Sequence, residues 1–140
     1  MSINLSSGLE DYIETIYLST LNNEALKAAD LARKLNVSRA SVSEALSKLV
    51  SKKLVKYCHH ASINLTELGI NEAKKVYAKH FILKNFFECV LGVPSDEASH
   101  NACKMEHIIS DNVLNKMHNF TKFFSKHKKI LEIYIEESEE

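Results

Sequence analysis

Apolar residues first recur at Leu9, Tyr12, Ile13, Ile16 and Tyr17, the i, i+3, i+4, i+7, i+8 spacing of a helix with one buried face. Asn22 and Asn23 punctuate its end, and Ala28, Leu31, Ala32 and Leu35 predict a short second helix closed at Asn36. Ser38 is placed to cap a third helix, and Ser41-Val42-Ser43-Glu44 satisfies a capping-box pattern one turn later. Val42, Ala45, Leu46, Leu49 and Val50 form the expected buried stripe of that helix. Two short helices joined by a tight turn and packed on a preceding helix make a helix-turn-helix unit.

Beyond the third helix the period changes. Leu54-Val55-Lys56-Tyr57 and Ser62-Ile63-Asn64-Leu65 read as strands flanking Cys58-His59-His60-Ala61, a β-hairpin of the kind that forms the wing of a winged helix. Thr66 is expected to cap a long helix through Val76 and on to about Lys79. Gly92 and the single proline, Pro94, mark the next break. Glu97 to Met117 then reads as one helix, and Thr121 to about Ile135 as a last one. Phe81, Ile82, Leu83, Phe86, Phe87, Val90 and Leu91 are apolar nearly all round a helix, which implies burial on several sides. A homodimer of C2 symmetry through these helices is the economical way to bury them. The expected fold is mainly α: a winged helix-turn-helix domain with a small β-hairpin wing over residues 1–75, then an all-helical dimerisation domain over 76–140.

Composition narrows the class. Three Gly and one Pro in 140 residues favour helices with short connections, and 45% apolar content is enough for a folded core. No basic stretch followed by an apolar one opens the chain, so no signal peptide is expected. The oily segment from Phe81 to Val93 is interrupted by Lys84, Asn85 and Glu88, and no membrane partner is expected. Cys58, Cys89 and Cys103 show no CxxC spacing, which suits a reducing cytoplasm.

The net charge of zero conceals a local one. From Arg33 to Lys56, seven basic residues stand against the single acid Glu44, a local charge of +6. A polyanionic partner responds to such a patch more than to the overall balance. Double-stranded operator DNA is the expected partner, with Ser38, Arg39, Ser41, Ser43, Glu44 and Lys48 of the recognition helix in the major groove. Arg39 can pair with guanine and Glu44 with a cytosine amine, while Lys56, His59 and His60 set the wing against the backbone or minor groove. The acidic end, Glu136, Glu137, Glu139 and Glu140, reads as a solvated tail.

A second chemistry sits at Cys103-Lys104-Met105-Glu106-His107. Read as a helix, this stretch sets a thiol, a carboxylate and an imidazole at i, i+3 and i+4 on one face. All three are transition-metal donors once deprotonated or neutral. Asp11 and Glu14 form a further carboxylate pair at i, i+3, and His80 and His100 are additional donors. Spacing alone leaves open whether these groups converge or are ordinary surface residues. A winged-helix regulator sensing an organic ligand is the alternative. An enzyme is not expected, because the chain has no HExxH, no poised nucleophile pair and no glycine-rich phosphate loop.

Several segments together resemble the diphtheria toxin repressor family of metal-dependent regulators, including its shorter manganese-transport-regulator branch. They are Glu10-Asp11-Tyr12-Ile13-Glu14-Thr15-Ile16-Tyr17, Ala29-Asp30-Leu31-Ala32, Ser38-Arg39-Ala40-Ser41-Val42-Ser43, Leu65-Thr66-Glu67-Leu68-Gly69, Lys79-His80 and the run from Ala102 to Asp111. The resemblance covers Leu9 to about Met117 and implies a two-domain member with Fe(II) or Mn(II) as corepressor. It implies a primary site of Asp11, Cys103, Glu106 and His107. Asp11 matches the manganese branch, where the iron branch has Met; Cys103 matches the iron branch, where the manganese branch has Glu. Glu14 and His80 match positions of a second site in the manganese branch. His80 and His100 match an ancillary iron-branch site whose carboxylate position holds Lys84 here. A thiolate favours softer, later metals, so Fe(II) is expected, Mn(II) is the alternative, and Zn(II), Co(II) or Ni(II) should bind in vitro.

Overall fold

The computed structural model describes residues 3–139. Seven helices and one two-stranded sheet follow one another as α1 (Ser7–Leu21), α2 (Ala28–Leu35), α3 (Arg39–Ser51), β1 (Val55–Lys56), β2 (Asn64–Leu65), α4 (Glu67–Cys89), α5 (Ser95–Met105), α6 (Asp111–Lys126) and α7 (Lys128–Ser138). The chain divides into two compact units, Met1–Tyr77 and Ala78–Glu140, with the boundary inside α4.

In the N-terminal unit the apolar stripes of α1, α2 and α3 share one core, in which Ile13, Ile16, Leu31, Leu46 and Leu49 are fully buried. Val50, expected in the same stripe, is exposed. Ser6 caps α1 and Ser38 caps α3, each hydroxyl accepting from the backbone N–H three residues on. Asn36 ends α2 in the left-handed conformation at φ 52°, which asparagine tolerates better than most residues. The turn between α2 and α3 therefore follows from two residues, Asn36 and Ser38.

The hairpin is short. β1 and β2 pair antiparallel, Val55 opposite Leu65 and Lys56 opposite Asn64. Its root is bonded more densely than its tip. The Thr66 amide donates to the Leu54 carbonyl (3.0 Å), its hydroxyl donates to the Lys53 carbonyl (2.7 Å), and the same hydroxyl accepts from the Gly69 amide (3.0 Å). On the other side, the Ile63 amide donates to Leu26 O (2.8 Å). A Cβ on Gly69 would lie 2.0 Å from the Leu54 carbonyl oxygen, so only glycine lets α4 start this close to the wing.

In the C-terminal unit, Leu83 and Phe87 of α4 pack with Ala98 and Ala102 of α5 and Leu114 of α6. Three expectations are corrected here. The helix from Thr66 does not stop near Lys79 but runs to Cys89, because no Gly or Pro intervenes before Gly92 at φ 67°. The single helix expected over Glu97–Met117 is two: α5 ends at Met105, and Ser110 starts α6 by accepting from the Val113 amide at 3.3 Å. The last segment is likewise divided, at His127, whose ring nitrogen Nδ1 lies 2.7 Å from Phe123 O. The acidic residues Glu136 and Glu137 lie in α7, exposed.

Several large apolar side chains are exposed on this unit, among them Phe81, Leu91, Phe120, Phe123, Ile133 and Ile135. Among the described residues no helix is long and apolar enough to cross a membrane.

Gly69→Ala should be among the most damaging small substitutions in the N-terminal unit. Forcing the Leu54 carbonyl away breaks its bond from Thr66 as well, and overpacking of this kind costs about 1–3 kcal/mol. Urea denaturation measures it, and a midpoint equal to that of the parent would contradict the close approach.

Candidate functional site

The chemistry of the C-terminal unit converges on Glu106. This carboxylate is 1% exposed and terminates α5, its amide still donating to Ala102 O at 3.0 Å. Oε2 lies 3.0 Å from Nδ1 of His80, on α4. The same Nδ1 is 3.6 Å from Sγ of Cys103, in the last turn of α5. Nε2 of His107, in the turn after α5, is 3.5 Å from Oε1. That oxygen is buried and accepts no hydrogen bond among the described residues. A buried carboxylate oxygen without a donor is costly, and a cation is one of the few partners that satisfies it.

Two alanines make the gathering possible. Ala98 and Ala102 are fully buried in the core that α5 shares with Leu83 and Phe87 of α4, and the face of α5 carrying Ser99, Cys103 and Glu106 comes within reach of His80. Ser99 Oγ is 3.4 Å from the other ring nitrogen of His80, Nε2. Lys79, the neighbour of His80, reaches Asp111 in the first turn of α6 at 3.6 Å. Thiol, carboxylate and two imidazoles therefore stand together in one unit. Such a donor set suits a first-row divalent metal, which it binds with the thiol and carboxylate deprotonated and the imidazoles neutral.

The remaining predicted ligands are placed differently. Asp11 and Glu14 lie one turn apart on α1 in the N-terminal unit, Asp11 exposed and Glu14 buried. His100 is exposed on α5, one position round the helix from Ser99. Lys84 stands 3.9 Å from Glu88. Sequence reasoning missed Ser99, since a serine inside a helix gives no signal until the histidine it meets is known.

The residues predicted to meet DNA are all exposed in the N-terminal unit: Ser38, Arg39, Ser41, Ser43, Glu44 and Lys48 at or along α3, and Lys56, His59 and His60 on the hairpin. The rings of His59 and His60 are 3.8 Å apart at the tip, where His60 takes φ 65°. Lys27, Arg39, His59 and His60, together with Val42 and Tyr57, line a groove of about 480 Å³ between α3 and the hairpin. On α3 the Lys48 ammonium donates to Glu44 at 2.7 Å. That hydrogen bond and the charge of Lys48 hold the Glu44 carboxyl below the usual carboxylate range. Burial, and secondarily the Glu44 charge, push the Tyr12 phenol up.

Comparison with known proteins decides the family. Residues 4–62 match the N-terminal DNA-binding domain of the iron-dependent repressors, and residues 66–134 match their metal-binding and dimerisation domain. The chain belongs to the iron-dependent repressor family. It is 40% identical over 121 residues to an uncharacterized HTH-type transcriptional regulator of Methanocaldococcus jannaschii, covering 86% of this chain and 97% of that one. To the HTH-type transcriptional regulator MntR of Listeria welshimeri it is 30% identical over 124 residues, covering 89% and 87%.

Among solved structures, the manganese regulator SloR is similar at 29% identity and a TM-score of 0.71, over 86% of this chain and 55% of that one. A manganese-dependent transcriptional repressor solved with manganese is similar at 27% identity and a TM-score of 0.73, over 82% and 53%. The chain thus spans about half the length of these two structures. The winged-helix and helical-domain fold expected from the sequence is the fold of this family, and nothing in these comparisons supports the organic-ligand alternative.

Two outcomes test the geometry. Ala102→Leu should cost about 1–3 kcal/mol by overpacking and, by separating α4 from α5, should weaken metal uptake while the N-terminal unit stays folded. Calorimetry and metal titration on one sample check both. Glu44→Gln frees Lys48 and should tighten binding to non-specific duplex DNA, steepening the logarithmic salt dependence by about one. An unchanged salt slope would remove Lys48 from the phosphate contacts.

Proposed function

We propose that this family member is a repressor of metal-homeostasis genes that reads a divalent ion through the Glu106 cluster, Fe(II) in preference and Mn(II) as the alternative. The observation that supports it is the buried Glu106 carboxylate, one oxygen lacking a hydrogen-bond donor while two imidazoles and a thiol stand around it. The reading assigns Asp11, Cys103, Glu106 and His107 to a primary site. Glu14 and His80 belong to a second site, with His100 as an outer candidate. Cys103 biases the set towards later metals, so Zn(II), Co(II) and Ni(II) bind in vitro as well.

The signal is electrostatic. Bringing Asp11 and Glu14 of the N-terminal unit to Glu106 gathers like charges, which repel. A divalent ion, when bound, supplies the positive charge that turns this repulsion into attraction. Asp11 and Glu14 then hold α1 to the C-terminal unit, and the recognition helices of a homodimer keep the spacing of a palindromic operator. Because metal and operator favour the same arrangement, each tightens the binding of the other by the same factor. On this reading the protein is cytoplasmic, its partner is duplex DNA, and its role is regulatory rather than catalytic.

Anaerobic operator binding with and without Fe(II) or Mn(II) is the direct test, and equal affinities in all three conditions would sink the reading. Glu106→Ala should abolish the metal-dependent increment while leaving a folded dimer, as judged by sedimentation. Cys103→Glu should move the preference from Fe(II) towards Mn(II), read by competition between the two ions.

A further inference from the structure

We propose that Ser99 is a positioning residue that selects the tautomer in which His80 offers Nδ1 to a metal, an inference resting on the reading above that His80 is a ligand. The two nitrogens of this ring face different partners. Nδ1 points at the Glu106 carboxylate (3.0 Å) and lies beside the Cys103 thiol (3.6 Å), whereas Nε2 faces the Ser99 hydroxyl at 3.4 Å. When the ring donates in the short contact to the Glu106 carboxylate, it does so through a proton on Nδ1. To take a cation, Nδ1 must present its lone pair, and a neutral ring must then carry its proton on Nε2. Among the described residues, the group within hydrogen-bond distance of that nitrogen is Ser99 Oγ, a hydroxyl that accepts as readily as it donates.

Ser99 thus serves both states. It donates to the Nε2 lone pair while Nδ1 holds the proton, and it accepts from Nε2–H once Nδ1 is committed to metal. One proton leaves Nδ1 and one is taken up at Nε2 by exchange with solvent, so the ring stays neutral in both states and need not turn. Ser99, Cys103 and Glu106 follow one another at i, i+4 and i+7 on one face of α5, so the helix that supplies the thiol and the carboxylate also orients the imidazole brought by α4. Partners behind a ligating histidine commonly change metal affinity by about 10–100-fold when removed.

The test uses the full chain, the diamagnetic probe Zn(II), and long-range proton–nitrogen correlation of the imidazoles, with His80 assigned from its absence in His80→Gln. Metal-free protein should show His80 with its proton on Nδ1, and Zn(II) should convert it to an Nδ1-bound, Nε2–H ring. Ser99→Ala should lower Zn(II) affinity by about 10-fold and reduce the Nε2–H form. Ser99→Thr, which keeps the hydroxyl, should restore both. In a His80→Gln background, Ser99→Ala should have no further effect on Zn(II) affinity.

If Zn(II) leaves the His80 resonances of the parent protein unchanged, the assignment of His80 as a ligand fails, and the proposal fails with it. If His80 binds through Nδ1 but Ser99→Ala alters neither affinity nor tautomer, only the role of Ser99 is overturned. A Ser99→Ala effect that persists without His80 would make the residue merely structural, and would overturn the proposal equally.

Discussion

A carboxylate folded into a protein interior has to be answered by donors or by positive charge, and Glu106 is answered on one side only. Its Oε2 has the His80 ring; its Oε1 has no donor within hydrogen-bonding geometry. The local architecture of the C-terminal unit serves this one group. The end of α5 puts it at a helix terminus, the break before α6 leaves room for His107 beside it, and the paired alanines draw α4 close enough to supply an imidazole. Keeping a carboxylate at 1% exposure with only one oxygen partnered among the described residues costs stability. On the proposed reading, a divalent ion is the partner that answers it.

The N-terminal unit spends its interactions differently. Its core is largely apolar, with Glu14, Ser19 and Glu72 buried at its edge, and Thr66 makes a cluster of polar contacts where α4 leaves the hairpin. Thr66 alone bonds to Lys53, Leu54 and Gly69, and it is seated against a glycine that has no room for a side chain. The hairpin tip carries two histidine rings in tilted contact and a left-handed residue, with nothing comparable in bonding among the described residues. A firm root and a lightly held tip suit an element that must meet a partner whose local shape varies.

Much of this was legible in the residues themselves. Caps and breaks near the N-terminus are written in single side chains, Ser38 and Asn36 among them, and the periodic apolar positions of α1 to α3 have few competing interpretations. The break between α5 and α6 was not legible, because Met105, Ile109 and Val113 continue a helical spacing across it and no Gly or Pro interrupts the run. The length of α4 was lost for the converse reason: its buried stripe serves one core up to Tyr77 and another from Ile82, so no single periodicity describes it. At the site, the donor types at 103, 106 and 107 could be named from their spacing. The direction in which the His80 ring faces depends on the packing of α4 against α5 and has no trace in the sequence.

Ala98 and Ala102 also set the terms on which the site can evolve. They already have almost no side chain to give up, so substitution can push α4 and α5 apart but, glycine excepted, cannot bring them closer. Larger side chains at these two fully buried positions can only disturb the frame. On the proposed reading, a lineage that needs to respond to a different ion has to change the donors themselves. Cys103, exposed at the end of its helix and free of the core, is the donor whose exchange disturbs least of the surrounding structure.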